Sequence, residues 1–161
     1  MKELIKKIQK QWKAAKDAAQ SLCEESGQYD MANKLRECEM FKGTETLEEL
    51  VKLMFTPRGI EFLTTYNFPD IKVFRIFKKY HPERYGLFID SGEIELSEVR
   101  KIFLVGDTTA KLHYKDTAAN RVYLMHGASA IITASGYSVV KIEKDDTCNI
   151  SIIKLENAVV R

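Results

Sequence analysis

The 161-residue sequence predicts an α+β protein, an N-terminal helical segment of about five helices followed by a short β-solenoid-like repeat. Three observations carry that prediction. Apolar residues recur at helical spacing from Met1 to about Tyr85, two-residue alternation replaces that spacing after Gly86, and like residues then return at a near-fixed interval. The composition shift near Leu87–Gly92 sets the expected division, with a helical domain over 1–86 and a solenoid domain over 92–161.

The first helix is read from Leu4, Ile5, Ile8, Trp12, Ala15, Ala19 and Leu22, which share one face, and Gly27 ends it by taking the left-handed conformation. A second helix is expected around Tyr29–Phe41, turning Met31, Leu35 and Cys38 inward, with Gly43 as its stop. Thr46-Leu47-Glu48-Glu49 has capping-box spacing, in which the threonine and glutamate side chains satisfy free backbone N–H groups at the start of a third helix. Leu47, Leu50, Val51 and Met54 form its apolar stripe. Pro57 suits the first position of a fourth helix carrying Ile60, Phe62 and Leu63. Pro69 opens a fifth, closed by His81-Pro82 because the residue before a proline disfavours helix.

In the second half Ile94, Leu112, Ile132 and Ile150 are spaced 18, 20 and 18 apart. Ile102, Val122, Val140 and Val160 are spaced 20, 18 and 20, and Ala110, Ala130 and Cys148 form a third column of small residues. Turn residues separate them: Gly106-Asp107, Asp116, Gly127, Ser135-Gly136, Asp145-Asp146 and Glu156-Asn157. Two short strands and two turns per unit of about 19 residues match one coil of a β-solenoid, whose inner face is buried only by stacking on the next coil. An antiparallel β-sandwich or meander is the alternative, with Ser135-Gly136 as a hairpin turn.

Composition excludes several classes. Hydrophobic residues make up 45% and charged residues 30%, with a net charge of +2, so the chain is neither disordered nor a strong polyanion binder overall. Three unpaired-looking cysteines (Cys23, Cys38, Cys148) point to free thiols and a cytoplasmic location. No apolar run approaches the roughly 20 residues of a membrane span.

No nucleotide, protease or esterase signature occurs, so no enzyme, catalytic residue or cofactor is expected. His113, His126 and Cys148 are the one set that suggests a metal, but alternation turns His113 outward and Cys148 inward, so no metal is expected either. Asp116 and Asp145-Asp146 lack the glycine-rich calcium nonapeptide and read as turn residues.

Two surfaces remain. One is a solenoid face of Lys111, His113, Lys115, Arg121, Tyr123, Lys141 and Glu143, suited to a protein partner. The other is basic: Lys6, Lys10 and Lys13 in the first helix and Lys72, Arg75 and Lys79 in the fifth, where aromatics interleave with cations as in nucleic-acid-binding segments. Each basic stretch also reads as the solvated side of a helix whose apolar stripe packs inward.

From Thr46 onward the chain resembles an uncharacterised family of short proteins from gut Bacteroidetes and their mobile elements or phages. The resemblance rests on Thr46-Leu47-Glu48-Glu49-Leu50-Val51, Gly59-Ile60-Glu61-Phe62, Asn67-Phe68-Pro69 and Tyr85-Gly86-Leu87-Phe88-Ile89-Asp90. Met1–Phe41 departs from that pattern. The resemblance implies a helical segment joined to β-repeats with no assigned activity, and it transfers no site. A non-enzymatic protein-interaction or structural module is therefore expected, with self-association through the C-terminal coil as one mode. A nucleic-acid-binding accessory protein, using basic helices over 1–16 and 70–84, is the second expectation.

Overall fold

A computed structural model describes all residues, 1–161. It contains α1 (Lys2–Glu25), α2 (Tyr29–Arg36), α3 (Leu47–Met54), α4 (Pro57–Tyr66) and α5 (Ile71–Lys78). Nine strands follow: β1 (Leu87–Ile89), β2 (Gly92–Ser97), β3 (Lys101–Val105), β4 (Thr108–Tyr114), β5 (Ala119–Met125), β6 (Ser129–Ala134), β7 (Val139–Lys144), β8 (Asn149–Lys154) and β9 (Val159–Val160). The chain forms two compact units, Met1–Ile76 and Phe77–Arg161.

In the first unit α1 buries Leu4, Ile5, Ile8, Trp12, Ala15 and Ala19, as its apolar period requires. Its end is the expected one, with Gly27 at φ +75° and the Gln28 amide donating to the Cys23 carbonyl. Trp12 anchors an aromatic cluster, its ring centroid 4.5 Å from that of Phe62 and 5.8 Å from that of Phe41. The capping box forms: the Thr46 hydroxyl accepts from the Glu49 amide at 3.3 Å, and the Glu49 carboxylate accepts from the Thr46 amide at 2.7 Å. Pro57 occupies the first turn of α4 beneath a Thr56 cap. Gly59 is required there, because a Cβ would lie 2.2 Å from the Leu53 carbonyl oxygen.

Three helical expectations are corrected. Leu22 lies 57% exposed at the last turn of α1, beyond the residues that bury the rest of the stripe. α2 stops at Arg36, short of Phe41, so Gly43 does not terminate it and Cys38 lies outside it. Within α2 only Ala32 is buried and Met31 is 50% exposed, because the small Ala32 rather than the long side chains sits at the contact with α1.

The second unit is a parallel two-sheet solenoid of about four coils. Odd-numbered strands form one sheet, in the order β1-β3-β5-β7-β9, and even-numbered strands the other, β2-β4-β6-β8. Every neighbouring pair is parallel, which excludes the antiparallel sandwich or meander. Ile102, Leu104, Val122, Leu124 and Val140 of the first sheet enclose a core with Ala110, Leu112, Ala130 and Ile132 of the second.

Register corrects the expected columns. Leu112 sits over Ile132 and Ala110 over Ala130, but Ile94 pairs with Ala110, and Ile150 with Ala130. The column through Leu112 and Ile132 runs from Leu96 to Ile152. Likewise Ile102 pairs with Val122, and Val140 with Val160, whereas Val122 pairs with Ile142. The offset is therefore 20 residues between successive coils after the first, as in Ile132↔Ile152, and 16 between the first two, as in Ile94↔Ala110. A two-residue slip leaves an inward residue over an inward residue, so hydrophobic pattern alone does not distinguish these registers.

Polar side chains fasten turn to turn. The Glu98 carboxylate accepts from the amides of Lys115 at 2.8 Å and Asp116 at 3.3 Å, and that of Asp90 from the Asp107 amide at 2.9 Å. Asp145 and Thr147 accept from the amides of His126 at 2.7 Å and Gly127 at 2.8 Å, one coil earlier. Glu156 accepts from the Gly136 amide at 2.7 Å. These contacts satisfy turn donors that no strand reaches.

Candidate interaction surface

The seven residues expected to make one solenoid face do not share one. Lys111 and His113 lie on β4, in the four-stranded sheet, whereas Arg121 and Tyr123 lie on β5, and Lys141 and Glu143 on β7, in the five-stranded sheet. Successive strands of a coil enter different sheets, and those sheets enclose the core from opposite sides, so their outer faces point apart. Lys115 lies in the turn after β4. Tyr123 is also removed from solvent at 1% exposure, with Phe103 its neighbour at 5.6 Å between centroids. Burial pushes its phenol pKa upward. Sequence reasoning missed this burial because alternation assigns outward residues to solvent, yet outward Phe103, Val105 and Met125 are buried as well.

The four-stranded sheet presents the more regular outer face, in three rows. They run Glu93–Thr109–Ser129–Asn149, Glu95–Lys111–Ile131–Ser151 and Ser97–His113–Thr133–Ile153. Chemistry changes along these rows, with Glu93 and Glu95 on β2, Lys111 and His113 on β4, and Ile131 and Ile153 on β6 and β8. His113 Nε2 lies 2.8 Å from Glu95 Oε1, a link between the first two coils, and Lys141 pairs with Glu143 on β7 at 2.5 Å. Both pairs are solvent-accessible, where such contacts contribute about 0–1 kcal/mol.

The largest change lies at the β8 end. Within the Leu96–Leu112–Ile132–Ile152 column, Leu112 and Ile132 are fully buried while Ile152 is 46% exposed. Ile153, Leu155 and Val159 of the same coil are 49%, 50% and 43% exposed. β8 is the last strand of its sheet.

The imagined metal set does not converge. His113 faces outward beside Glu95, His126 occupies a turn at φ +57°, and Cys148 is buried in the core. Burial pushes the Cys148 thiol up to about 11, which keeps it protonated at neutral pH. No group of three or more His, Cys, Asp or Glu side chains gathers with metal-binding geometry. The three cysteines are free thiols.

Of the basic residues, Lys6, Lys10, Lys13, Lys72, Arg75 and Lys79 are all exposed. The first five belong to the helical unit, where Gln11 ties α1 to the start of α5. The Gln11 side chain donates to Asp70 Oδ2 at 2.7 Å and accepts from the Asp70 amide at 2.9 Å. Asp70 in turn caps α5 by accepting from the Val73 amide at 2.8 Å. Lys16 is already engaged, donating to the carbonyls of Arg36 at 3.3 Å and Cys38 at 3.2 Å at the end of α2.

Two clefts mark the helical unit. One, of about 470 Å³, has a Trp12–Phe41 floor and a rim that includes Lys13 and Lys42. The other, of about 450 Å³, is lined by Cys23, Met31, Cys38, Phe62 and Tyr66, and its closest polar approach to a thiol is Arg58 Nη1 to Cys38 Sγ at 3.7 Å. Lys34, Arg58 and Glu61 also line this cleft. No helix is long and apolar enough to cross a membrane.

No protein-family model matches the chain, and comparison with the curated proteins and with the solved structures returns no match.

Proposed function

We propose that the chain is a non-enzymatic interaction module whose docking surface is the last coil of the solenoid. One observation carries this reading: Ile152 is 46% exposed in a column whose equivalents one and two coils earlier are fully buried. An apolar inner residue left in water is stabilised by any partner that completes the stack, and a strand added to the β8 edge would do so. Free thiols favour the cytoplasm as its compartment. Membership of the uncharacterised family, which has no assigned activity, belongs to the same proposal.

The test compares proteins recovered from native lysate by the wild-type chain, by Ile152→Glu/Ile153→Glu and by Lys111→Glu. The reading expects partners kept by Lys111→Glu and lost by the double variant, with helical and sheet content unchanged by circular dichroism. Equal recovery by all three removes the last coil from the function.

A nucleic-acid-binding accessory role is the second reading, supported by the paired Gln11–Asp70 hydrogen bonds that bring the cation-bearing start of α5 against α1. Anisotropy of labelled duplex and single-stranded DNA and RNA at two salt concentrations tests it. Binding through phosphates weakens steeply with salt, and Lys6→Glu/Lys10→Glu/Lys13→Glu would abolish it. Salt-insensitive or absent binding rules it out.

A further inference from the structure

We infer that the last coil pairs with the last coil of a second copy of this chain, β8 running antiparallel to β8 about a twofold axis at Ser151. The inference rests on the last coil being the docking surface and names its occupant.

Hydrogen-bond direction in β8 restricts the axis to one centred on a residue, and the uncharged stretch Cys148–Ile153 centres it at Ser151, where Lys154 meets no charge. The amides of Asn149 and Leu155 donate to the carbonyls of Ala128 and Ala134, so odd-numbered residues of β8 face β6. Alternate residues of a parallel strand point their N–H and C=O groups to opposite sides, so those of Ile150, Ile152 and Lys154 aim at the open edge. With the axis at Ser151, Ile150 of one copy opposes Ile152 of the other, and each of these two pairs exchanges two backbone hydrogen bonds. Ser151 then faces its own counterpart in the closer, non-hydrogen-bonded type of pair, and Asn149 faces Ile153.

Side chains agree with that register. Ile150 and Ile152 occupy inward columns, and an axis perpendicular to the sheet keeps inward residues inward, so the two cores become continuous. The exposed Ile153 on β8 and Leu155 in the turn after it lie along the same edge. From Cys148 to Ile153 the segment carries no charge, so the twofold juxtaposes no like charges there.

The other end of the solenoid offers a poorer match. Its β2 edge sets out Glu93 and Glu95, with Asp90 and Glu98 in the flanking turns and no cation among residues 87–98. An apolar tail gains most from another apolar tail, and the carboxylates disfavour pairing of two first coils. Six residues at about 3.3 Å each, across sheets about 10 Å apart, give a contact of roughly 200 Å² per copy, about 400 Å² in total. That lies well below the roughly 1,600 Å² in total of a standard protein–protein interface, so the dimer is expected to be weak and reversible, forming between the micromolar and millimolar ranges. Isologous pairing closes at two copies and leads to no filament.

The experiment uses the full chain with Cys23→Ser and Cys38→Ser, leaving buried Cys148, and adds Ser151→Cys. Sedimentation from about 1 μM to about 1 mM covers the weak association such a small interface allows. Non-reducing gels in a glutathione redox buffer read cross-linking. Concentration-dependent dimers, self-cross-linking by Ser151→Cys, and at least a tenfold weaker dimer with Ile152→Glu support the inference. A monomer throughout, assembly beyond the dimer, or a dimer that Ser151→Cys fails to cross-link overturns it. A monomer whose lysate partners are still lost on Ile152→Glu/Ile153→Glu overturns self-pairing alone, whereas partners indifferent to that change overturn the docking reading itself.

Discussion

The two ends of the four-stranded sheet solve the same physical problem differently. Both β2 and β8 are edge strands, with one row of backbone groups unpaired. β2 sets Glu93 and Glu95 outward, and its inward Ile94 and Leu96 are only partly exposed. β8 sets out Asn149, Ser151 and Ile153, carries no charge before Lys154, and leaves Ile152 46% exposed. Charged edges resist strand addition and neutral apolar edges invite it. The difference teaches that stacking coils is a uniform interaction in the middle of the solenoid and a chemical choice at its ends.

The sharpest way to test that contrast is to remove the same bulk at two levels of one column. Leu112→Ala, in mid-stack, is expected to cost about 2–5 kcal/mol in urea unfolding, because the fully buried site leaves a cavity. Ile152→Ala at the end should cost under about 1 kcal/mol, because much of that side chain is already in water. Equal costs would mean that the last coil is not an end.

Asp145 offers the next largest effect. Burial works to raise its pKa, but the Thr147 hydroxyl and the His126 and Thr147 amides together prevail and hold its carboxyl below the ordinary range. A folded-state value below the unfolded one near 3.9 stabilises above that pH, and the contribution is lost as pH falls through the folded value. Asp145→Ala should cost about 1–3 kcal/mol and loosen the last coil first. Native-state alkylation of Cys148, 3% exposed, reads that loosening. The variant should label faster than the wild type at neutral pH, since the thiolate forms more readily once the coil opens. Unchanged labelling would place the anchorage elsewhere.

Tyr114 probes the interior. Its hydroxyl is buried without a hydrogen-bond partner, and burial pushes the phenol pKa well upward. Tyr114→Phe removes a group that gains nothing by folding, and is expected to leave stability unchanged or raise it by about 1 kcal/mol. A loss of stability would reveal a role for that oxygen. The smallest stability change belongs to Glu93→Ile/Glu95→Ile, within about 0.5 kcal/mol per exposed site. That variant should nevertheless self-associate through the first coil in sedimentation, erasing the difference between the ends.

Much of this organisation was legible in the sequence, for identifiable reasons. The Thr46–Glu49 box, Pro57 and Gly27 are local devices whose chemistry depends on a few neighbouring residues, and each forms as expected. Period and strand alternation were enough to predict coils. Register was not, since matching Ile150 with Leu112 and Ile132 prefers like over like, whereas the backbone keeps a 20-residue offset after the first coil and sets Ile150 over Ala130. Outward burial at Tyr123 and Phe103 was equally hidden, because alternation tells which side of a sheet a residue occupies but not whether that side meets water. Self-association through the C-terminal coil was expected from the sequence, and exposure then singled out Ile152 within it against the buried Ile132.

Residue-resolved amide hydrogen exchange along β8 tests the central claim most directly. In dilute solution the amides of Ser151 and Ile153, facing β6, should exchange slowly while those of Ile150 and Ile152 exchange fast, with the latter two becoming protected as concentration rises. Uniform protection along β8 at every concentration would mean its outer edge is already satisfied, and the account of an open, pairing-competent last coil would be wrong.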